Sequence, residues 1–282
     1  MDRPVIGLLT DFGTEDYFVA SLKGVIARIN PEACVIDLSH QVPSFNVTSG
    51  SFMLYAAYRC FPLKTIFLAV VDPGVGTSRK ILCAETERYF FVGPDNGVLS
   101  LALEAETVNQ IREVTEEEYF LPHLTHTFEA RDKMAPVAAW LSKGTPCEKF
   151  GPKIVSYNKL DMCKPKGEGN SLVGRILHID KFGNMITNIP AEMLTQKWTI
   201  SSGHRVRLRM IGGSEVATPE LRGMDTLFRK TYEEAEKGEV LCLSGSLGFL
   251  EIAIREGSAF ERLKAKVGDG IVLSVISETG NV

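Results

Sequence analysis

Two rhythms of apolar positions run through the first half of the chain. PVIGLL at 4–9, CVIDLS at 34–39 and TIFLAVV at 65–71 are short apolar runs of buried-strand type. YFVASLKGVIARIN at 17–30 instead carries its apolar residues at helical spacing until Asn30-Pro31 stops it. Residues 47–60 read as a second helix, and ILCAET and YFFVG within 81–93 as two short strands able to form a hairpin. DNGVLSLALEAE starts as a helix, and RDKMAPVAAWLSKG is another, kinked near Pro136. Apolar strands separated by helices predict an α/β fold with a largely parallel sheet covered on both faces.

The pattern changes after about residue 150. PKIVSYNKLDMCKPKGEGN has no sustained periodicity and reads as an interdomain connection. Beyond it, SLVGRILHI, HRVRLRMI, EVLCLS and FLEIAI are short strands with turn residues between them, which predicts a smaller antiparallel β-domain, sandwich or barrel. The expected domains are residues 1–160 and 161–282.

Composition narrows the partners. With 282 residues, 44% of them hydrophobic and 9% aromatic, the chain can fill packed cores in about two domains. Net charge is −4 and Lys and Arg do not cluster, which argues against nucleic acid and against an anionic membrane surface. The N-terminal MDRPVIGLLTDFG turns polar after a short apolar run, unlike a signal peptide, and no segment reaches the ~18 uninterrupted apolar residues of a spanning helix. The expected location is the cytoplasm. The six cysteines (Cys34, Cys60, Cys83, Cys147, Cys163, Cys242) form no C-x-x-C pair, so buried or inert reduced thiols are expected, without a disulfide framework or structural metal.

Ligands of open α/β sheets sit beyond the carboxyl ends of the strands. Three loops fit that rule, at 10–16, 72–80 and 93–97, and all are expected on one edge of the sheet. In TDFGTED, either Asp16 caps the helix and Asp11 is a turn residue, or Asp11 accepts from two vicinal ribose hydroxyls. VVDPGVGTSRK lacks the spacing of a triphosphate cradle but sets Asp72 and Arg79 on a tight turn, where they can meet as a structural or a functional ion pair. HTFEARDKMAP places His126, Glu129, Arg131 and Asp132 before a helix, where such residues, Asp132 especially, ordinarily cap or face solvent. The five histidines (His40, His123, His126, His178, His204) form no Ser-His-Asp or metal-ligand set. In IDKFGNMITNI, Asp180, Phe182 and Asn184 make either an ordinary hairpin turn or a nucleoside pocket, with an aromatic face and an amide beside an acid.

The order of TDFG, VVDPGVGTSR, GPDNG, TFEARD, IDKFGNMITNI and SGSLGFLEIA, across about residues 4–275, resembles the S-adenosyl-L-methionine (SAM) hydroxide adenosyltransferase family. These hydrolases are related to the fluorinase and chlorinase that make 5′-halo-5′-deoxyadenosine. The resemblance implies in-line attack by water or hydroxide on the 5′ carbon of SAM, giving adenosine and L-methionine. It implies no metal or redox cofactor, SAM being the substrate. It also implies an N-terminal α/β domain joined to a C-terminal β-barrel, in homotrimers whose sites lie between neighbouring subunits.

By position, Asp11 matches the family acid that holds the ribose hydroxyls, Asp16 the one near the methionine amino-acid group, and Phe45 an aromatic beside the substrate. Asp180, Phe182 and Asn184 match barrel-side residues around the methionine end and the nucleoside, Tyr232 an aromatic stacked on adenine, and Ser246 a serine at the methionine end. Asp72 and Arg79 match two members of an Asp-Arg-His set that positions or activates water. The third member falls where the hydrolases usually read TFHGRD, and here it is Glu129. The fluorinase has tyrosine at the Asp72 position and the halogenases serine or glycine at Ala130, so the resemblance favours water over halide. The alternatives are a halide-dependent adenosyltransferase and a SAM- or adenosine-binding protein with little catalysis. Glu129 either accepts a proton from water while pairing with Arg79, or leaves His126 to reach in.

Overall fold

The computed structural model describes residues 3–123, 125–160, 164–211 and 223–276, so Cys163 lies outside the described residues. The chain divides into two compact units, Met1–Leu160 and Asp161–Val282. The first unit runs β1 (Val5–Thr10), α1 (Phe18–Ile29), β2 (Cys34–Ser39), α2 (Val47–Ala57), β3 (Ile66–Val70), β4 (Ile81–Thr86), β5 (Phe90–Pro94), α3 (Ser100–Glu104), β6 (Val108–Glu113), α4 (Ala135–Ser142) and β7 (Lys153–Ile154). Its seven-stranded sheet has the order β2-β1-β3-β5-β4-β6-β7. Strands β2, β1, β3 and β5 are parallel, and β4, β6 and β7 extend the sheet in antiparallel fashion.

The alternation of side chains along a strand explains the unbroken apolar runs. Ile6, Leu8, Ile66, Leu68 and Val70 point to a core shared with Leu22 and Ile26 of α1 and Val137 of α4. Leu9, Phe67, Ala69 and Val71 point the other way, to a core with Leu54 of α2 and Leu103 of α3. Both faces are covered, so no position along β3 can be polar.

Several local expectations change in three dimensions. Helix α1 begins after Tyr17 without a side-chain cap, so Asp16 is not its capping residue. Ahead of α4 the backbone is π-helical over Ala130–Met134. Pro136 has no N–H for the Asp132 carbonyl, which accepts from Leu121 N–H instead at 2.9 Å. Part of the unpatterned connection is strand β7, and Asn158 is tied to Asp95 by two 2.7 Å hydrogen bonds. A two-residue strand has no period to read. Cys83, Cys147 and Cys242 are buried free thiols, whereas Cys34 is half-buried and Cys60 exposed.

The second unit runs β8 (Lys166–Glu168), β9 (Ser171–Ile179), β10 (Met185–Pro190), α5 (Ala191–Trp198), β11 (Arg205–Ile211), β12 (Met224–Arg229), β13 (Val240–Ser244), β14 (Phe249–Ile254), α6 (Ala259–Leu263) and β15 (Gly270–Val275). The order β10-β14-β13-β12-β11-β15-β9-β8 closes through a β9–β10 pairing, which makes a seven-stranded barrel with β8 outside the ring. Leu172, Ile176, Leu208, Leu250, Ile252 and Leu273 fill its core. The barrel is not wholly antiparallel, because β12 and β13 run parallel. A parallel pair cannot be joined by a tight hairpin, and the longer connection holds the short helical turn Tyr232–Glu234. Among the described residues no helix is long and apolar enough to cross a membrane.

Candidate active site

The carboxyl ends of β1 and β3 deliver two acid-bearing loops to one edge of the first unit's sheet. After β3, Arg79 Nε donates to both Asp72 oxygens at 2.9 and 2.8 Å, and Arg79 Nη2 lies 2.5 Å from Asp72 Oδ2 and 2.5 Å from Glu129 Oε2. Lys133 Nζ donates to the other Glu129 oxygen at 2.6 Å. The side chains of Asp72, Arg79 and Glu129 are all more than nine-tenths buried. Burial pushes the Glu129 carboxyl up, but Lys133 and Arg79 outweigh it and hold Glu129 below the usual carboxylate range. Burial likewise opposes the Arg79 charge, and Asp72 and Glu129 more than restore it.

Gly76 makes this meeting possible. Its φ is +80°, and a Cβ there would lie 2.7 Å from the His126 carbonyl oxygen, so only glycine lets the 72–80 loop lie against the segment that carries Glu129. Asp72 and Glu129, with Asp11 and Phe45, line a cavity of about 380 Å³, and Arg79 bridges the two acids without itself lining it. Phe12, Phe18 and Phe128 form the apolar wall, with Phe128 edge-on to Phe18 at 5.2 Å and to Phe12 at 6.0 Å.

Phe45 is 72% exposed and has a φ of +65°, and its N–H donates to Asp11 Oδ2 at 2.9 Å. A left-handed backbone at a side-chain-bearing residue costs about 1–2 kcal/mol. The Asp11 hydrogen bond offsets part of that, so the ribose acid suggested by the resemblance also fixes the aromatic beside it. Asp16 is exposed and lines a neighbouring cavity of about 420 Å³ that shares Asp11, Phe12 and Ser44 with the first.

The 93–97 loop lies on this edge as expected, since β5 runs parallel to β3, but it does not line the main cavity; Asn96 Nδ2 donates to the Val71 carbonyl at 2.8 Å and braces the strand end from which Asp72 departs. Two expectations for this edge are corrected. His126 is exposed and lies outside the cavity lining. Asp132 neither caps nor faces solvent: it is fully buried, accepts from Thr125 N and Oγ1 at 2.8 Å each and from Arg131 Nε at 2.6 Å, and anchors the segment before Glu129. Burial alone would raise its pKa, but Arg131 and Thr125 hold it below the usual range.

The barrel unit carries a second cavity, of about 520 Å³, lined by Asp180, Phe182, Asn184 and Tyr232 among others. Asp180 builds the turn: Oδ1 accepts Phe182 N–H at 2.8 Å and Asn184 N–H at 2.9 Å, and Oδ2 accepts the Asn184 amide at 2.9 Å. Gly183 has a φ of +83°, and a Cβ there would sit 2.1 Å from Ser258 Oγ, so the turn presses against the start of α6. Tyr232 donates its hydroxyl to Glu251 Oε1 at 2.5 Å, and Glu251 is only 7% exposed. Burial raises the Glu251 pKa by more than the Tyr232 hydrogen bond lowers it, and the Asp180 charge adds to the rise. Ser246 is exposed in the β13–β14 turn, outside the lining of this cavity.

Profiles of the SAM hydroxide adenosyltransferase N-terminal and C-terminal domains match residues 6–151 and 174–272. This chain belongs to the SAM hydroxide adenosyltransferase family. It is 34% identical over 256 residues to a protein named (R)-S-adenosyl-L-methionine hydrolase from Methanocaldococcus jannaschii, covering 88% of each chain. It is likewise 34% identical over 273 residues to one of the same name from Thermus thermophilus, covering 94% of this chain and 97% of the relative. A solved structure of an uncharacterized conserved protein from Thermotoga maritima is similar with a TM-score of 0.87 and 40% identity, covering 95% of this chain and 99% of that one. Each SAM hydroxide adenosyltransferase domain match contains one of the two cavities.

Sequence reasoning missed Phe12, Phe18 and Phe128, although Phe12 lies within TDFGTED and Phe128 within TFEARD. It also missed Lys133, four residues after Glu129, and Glu251, the one charged residue inside the apolar strand FLEIAI. An isolated acid in a buried strand was the available signal for Glu251.

Proposed function

We propose that this protein is a cytoplasmic hydrolase of SAM. Water attacks the ribose 5′ carbon and the C5′–S bond breaks with its electron pair passing to sulfur. Adenosine and neutral L-methionine form, and one proton is released. The sulfonium is already a good leaving group, so the protein's work is to exclude bulk solvent and aim the nucleophile. Asp72 faces the cavity and orients the attacking water, taking up its proton on the way to solvent, while Arg79 and Glu129 hold Asp72 in place. Asp11 takes the ribose hydroxyls and Phe45 packs beside them. Phe182, Asn184 and Tyr232 take the nucleoside, and Asp180 the methionine end. Asp16 and Ser246 are assigned to the methionine end by family resemblance.

One observation carries this reading: a buried Asp72–Arg79–Glu129 chain opens onto the same cavity as Asp11 and Phe45. An anionic Asp72 at the nucleophile's position repels halide and accepts a hydrogen bond from water, which supports hydrolysis over halogenation. We further propose a homotrimer in which each complete site joins the first-unit cavity of one copy to the barrel cavity of its neighbour. The exposed aromatics Phe45, Phe182 and Tyr232 support it, since such side chains at cavity mouths suit a further surface.

The test is to incubate the protein with each sulfonium epimer of SAM, with and without chloride, and to resolve the products by chromatography with mass detection. Both epimers are used because the relatives' names specify R. Adenosine and methionine independent of chloride are expected. 5′-Chloro-5′-deoxyadenosine would replace the reading with halide transfer, and bound but unreacted SAM would replace it with a binding function.

A further inference from the structure

The residue that resemblance would make histidine is an acid here, and that changes the charge of the site. Asp72, Arg79 and a neutral imidazole would sum to zero. Asp72, Arg79 and Glu129 as ions sum to one net negative charge, in side chains that are more than nine-tenths buried. An uncompensated buried charge is strongly unfavourable unless a counter-ion accompanies it. Lys133 is that counter-ion: its Nζ lies 2.6 Å from Glu129 Oε1 while Arg79 holds Oε2. The two residues are four apart in sequence, and the π-helical turn ahead of α4 brings the ammonium onto the carboxylate. The ammonium also lies 5.7 Å from the Phe120 ring, which steadies it.

We propose that Lys133 is a positioning residue of the hydrolytic site: it completes an alternating Asp72–Arg79–Glu129–Lys133 chain, and the Glu129–Lys133 pair together takes the place of a single histidine. The inference rests on the hydrolase reading above. The charged groups facing Glu129 are Arg79 and, through it, Asp72 from the loop after β3, Asp11 across the cavity, and Lys133 on its own turn. With a cation on each oxygen, Glu129 is a fixed anion and a poor proton acceptor at neutral pH, consistent with the direction of its shift. Its role is to aim Arg79, and through Arg79 the Asp72 carboxylate.

The experiment compares K133M, K133R, E129H and E129H/K133M with wild type for kcat and KM toward SAM from about pH 5 to 9. In parallel, the Glu129 carboxyl is followed by carbon NMR in wild type, K133M and K133R without substrate. K133M should lose about 10–100-fold in kcat with KM changed less than about 3-fold. K133R should keep most activity. E129H should be impaired while Lys133 remains, and E129H/K133M should recover to within a few-fold of wild type. The Glu129 titration should move upward in K133M, because one of its two cations is gone. An unchanged kcat and an unmoved titration in K133M would overturn the proposal, as would a double variant no better than E129H. If K133M does not fold, a K133R titration and pH profile unlike wild type's would count against it, and wild-type-like ones for it. If wild type does not turn SAM over, the functional reading fails on its own, and the titration still decides whether Lys133 holds Glu129.

Discussion

At the wall of the first unit's cavity, Asp72, Arg79, Glu129 and Lys133 alternate in sign, each within hydrogen-bond distance of an opposite charge, with only the two acids lining the space. The barrel's cavity is lined by an Asp180 that builds its own turn, the Asn184 amide, the Tyr232 hydroxyl, Ser258, an Arg255 bound to the Glu233 and Ala235 carbonyls and a Glu256 paired with Lys237, and the Tyr232 hydroxyl is bound to a buried Glu251 that has no cation within salt-bridge distance among the described residues. One buried glutamate accompanies each cavity, with opposite consequences. Glu129 is held below the usual carboxylate range and Glu251 above it. Desolvation acts on both, but Glu129 has a cation on each oxygen whereas Glu251 has a tyrosine hydroxyl and the like charge of Asp180. A charge network is suited to aiming a nucleophile, because it is rigid and preorganised. An aromatic and amide surface is suited to holding a flat, largely neutral nucleoside, which offers a face to stack on and edges to hydrogen-bond.

The comparison is broken most directly at Asp72. D72A should lower kcat by about 10²–10⁴-fold with little change in KM, whereas an equal loss in both would make Asp72 a binding residue and erase the distinction between the cavities. Next comes mixing of D72A with N184A after joint unfolding and refolding. Assayed at SAM well below KM, where lost binding silences N184A as lost chemistry silences D72A, the mixture should yield about a quarter of wild-type activity if complete sites form between copies of a trimer, since one site in four would draw both halves intact. No recovery would place each site within one copy. On the barrel side, Y232A should raise KM by about 5–100-fold with kcat largely kept, in line with the loss of one base-stacking ring.

The smallest effect tests the opposite pKa shifts by thermal unfolding between about pH 3 and 8. Asp132, like Glu129, is lowered on folding, so its stabilisation is present above its unfolded value and lost as pH falls through the folded one. Glu251 is raised, so the stability linked to its protonation is present below its unfolded value and lost as pH rises through the folded one. D132N should therefore fall below wild type by about 2–4 °C near neutral pH and converge with it in acid. E251Q should match wild type in acid and pull ahead by a similar few degrees as pH rises. Parallel curves for all three proteins would contradict both assignments.

The strands and helices that carry the site were legible because their signals are local. The run TIFLAVV announces a strand buried on both faces, and YFVASLKGVIARIN announces a helix, each within one window. The parallel β12–β13 pair was not legible, since strand direction depends on where a connection returns, and no residue within β12 or β13 encodes that. Asp16 and Asp132 show the same limit from opposite sides. Both precede helices and carry the same carboxylate, yet one lies exposed beside a cavity without capping its helix and the other is a fully buried anchor.

By itself, the sequence determined the apolar periodicities, the two-part organisation, and the order of motifs that places the chain in its family, because these depend on neighbours a few residues apart. Tertiary structure alone decided that Arg79 reaches Glu129 across 50 positions, that Lys133 occupies the other oxygen of that acid, that Phe45 is held in a left-handed conformation by Asp11, and that Glu251 lies buried beneath Tyr232. Charge pairing and desolvation act through space and depend on burial, so the same glutamate is a fixed anion beside two cations and a reluctant one without them.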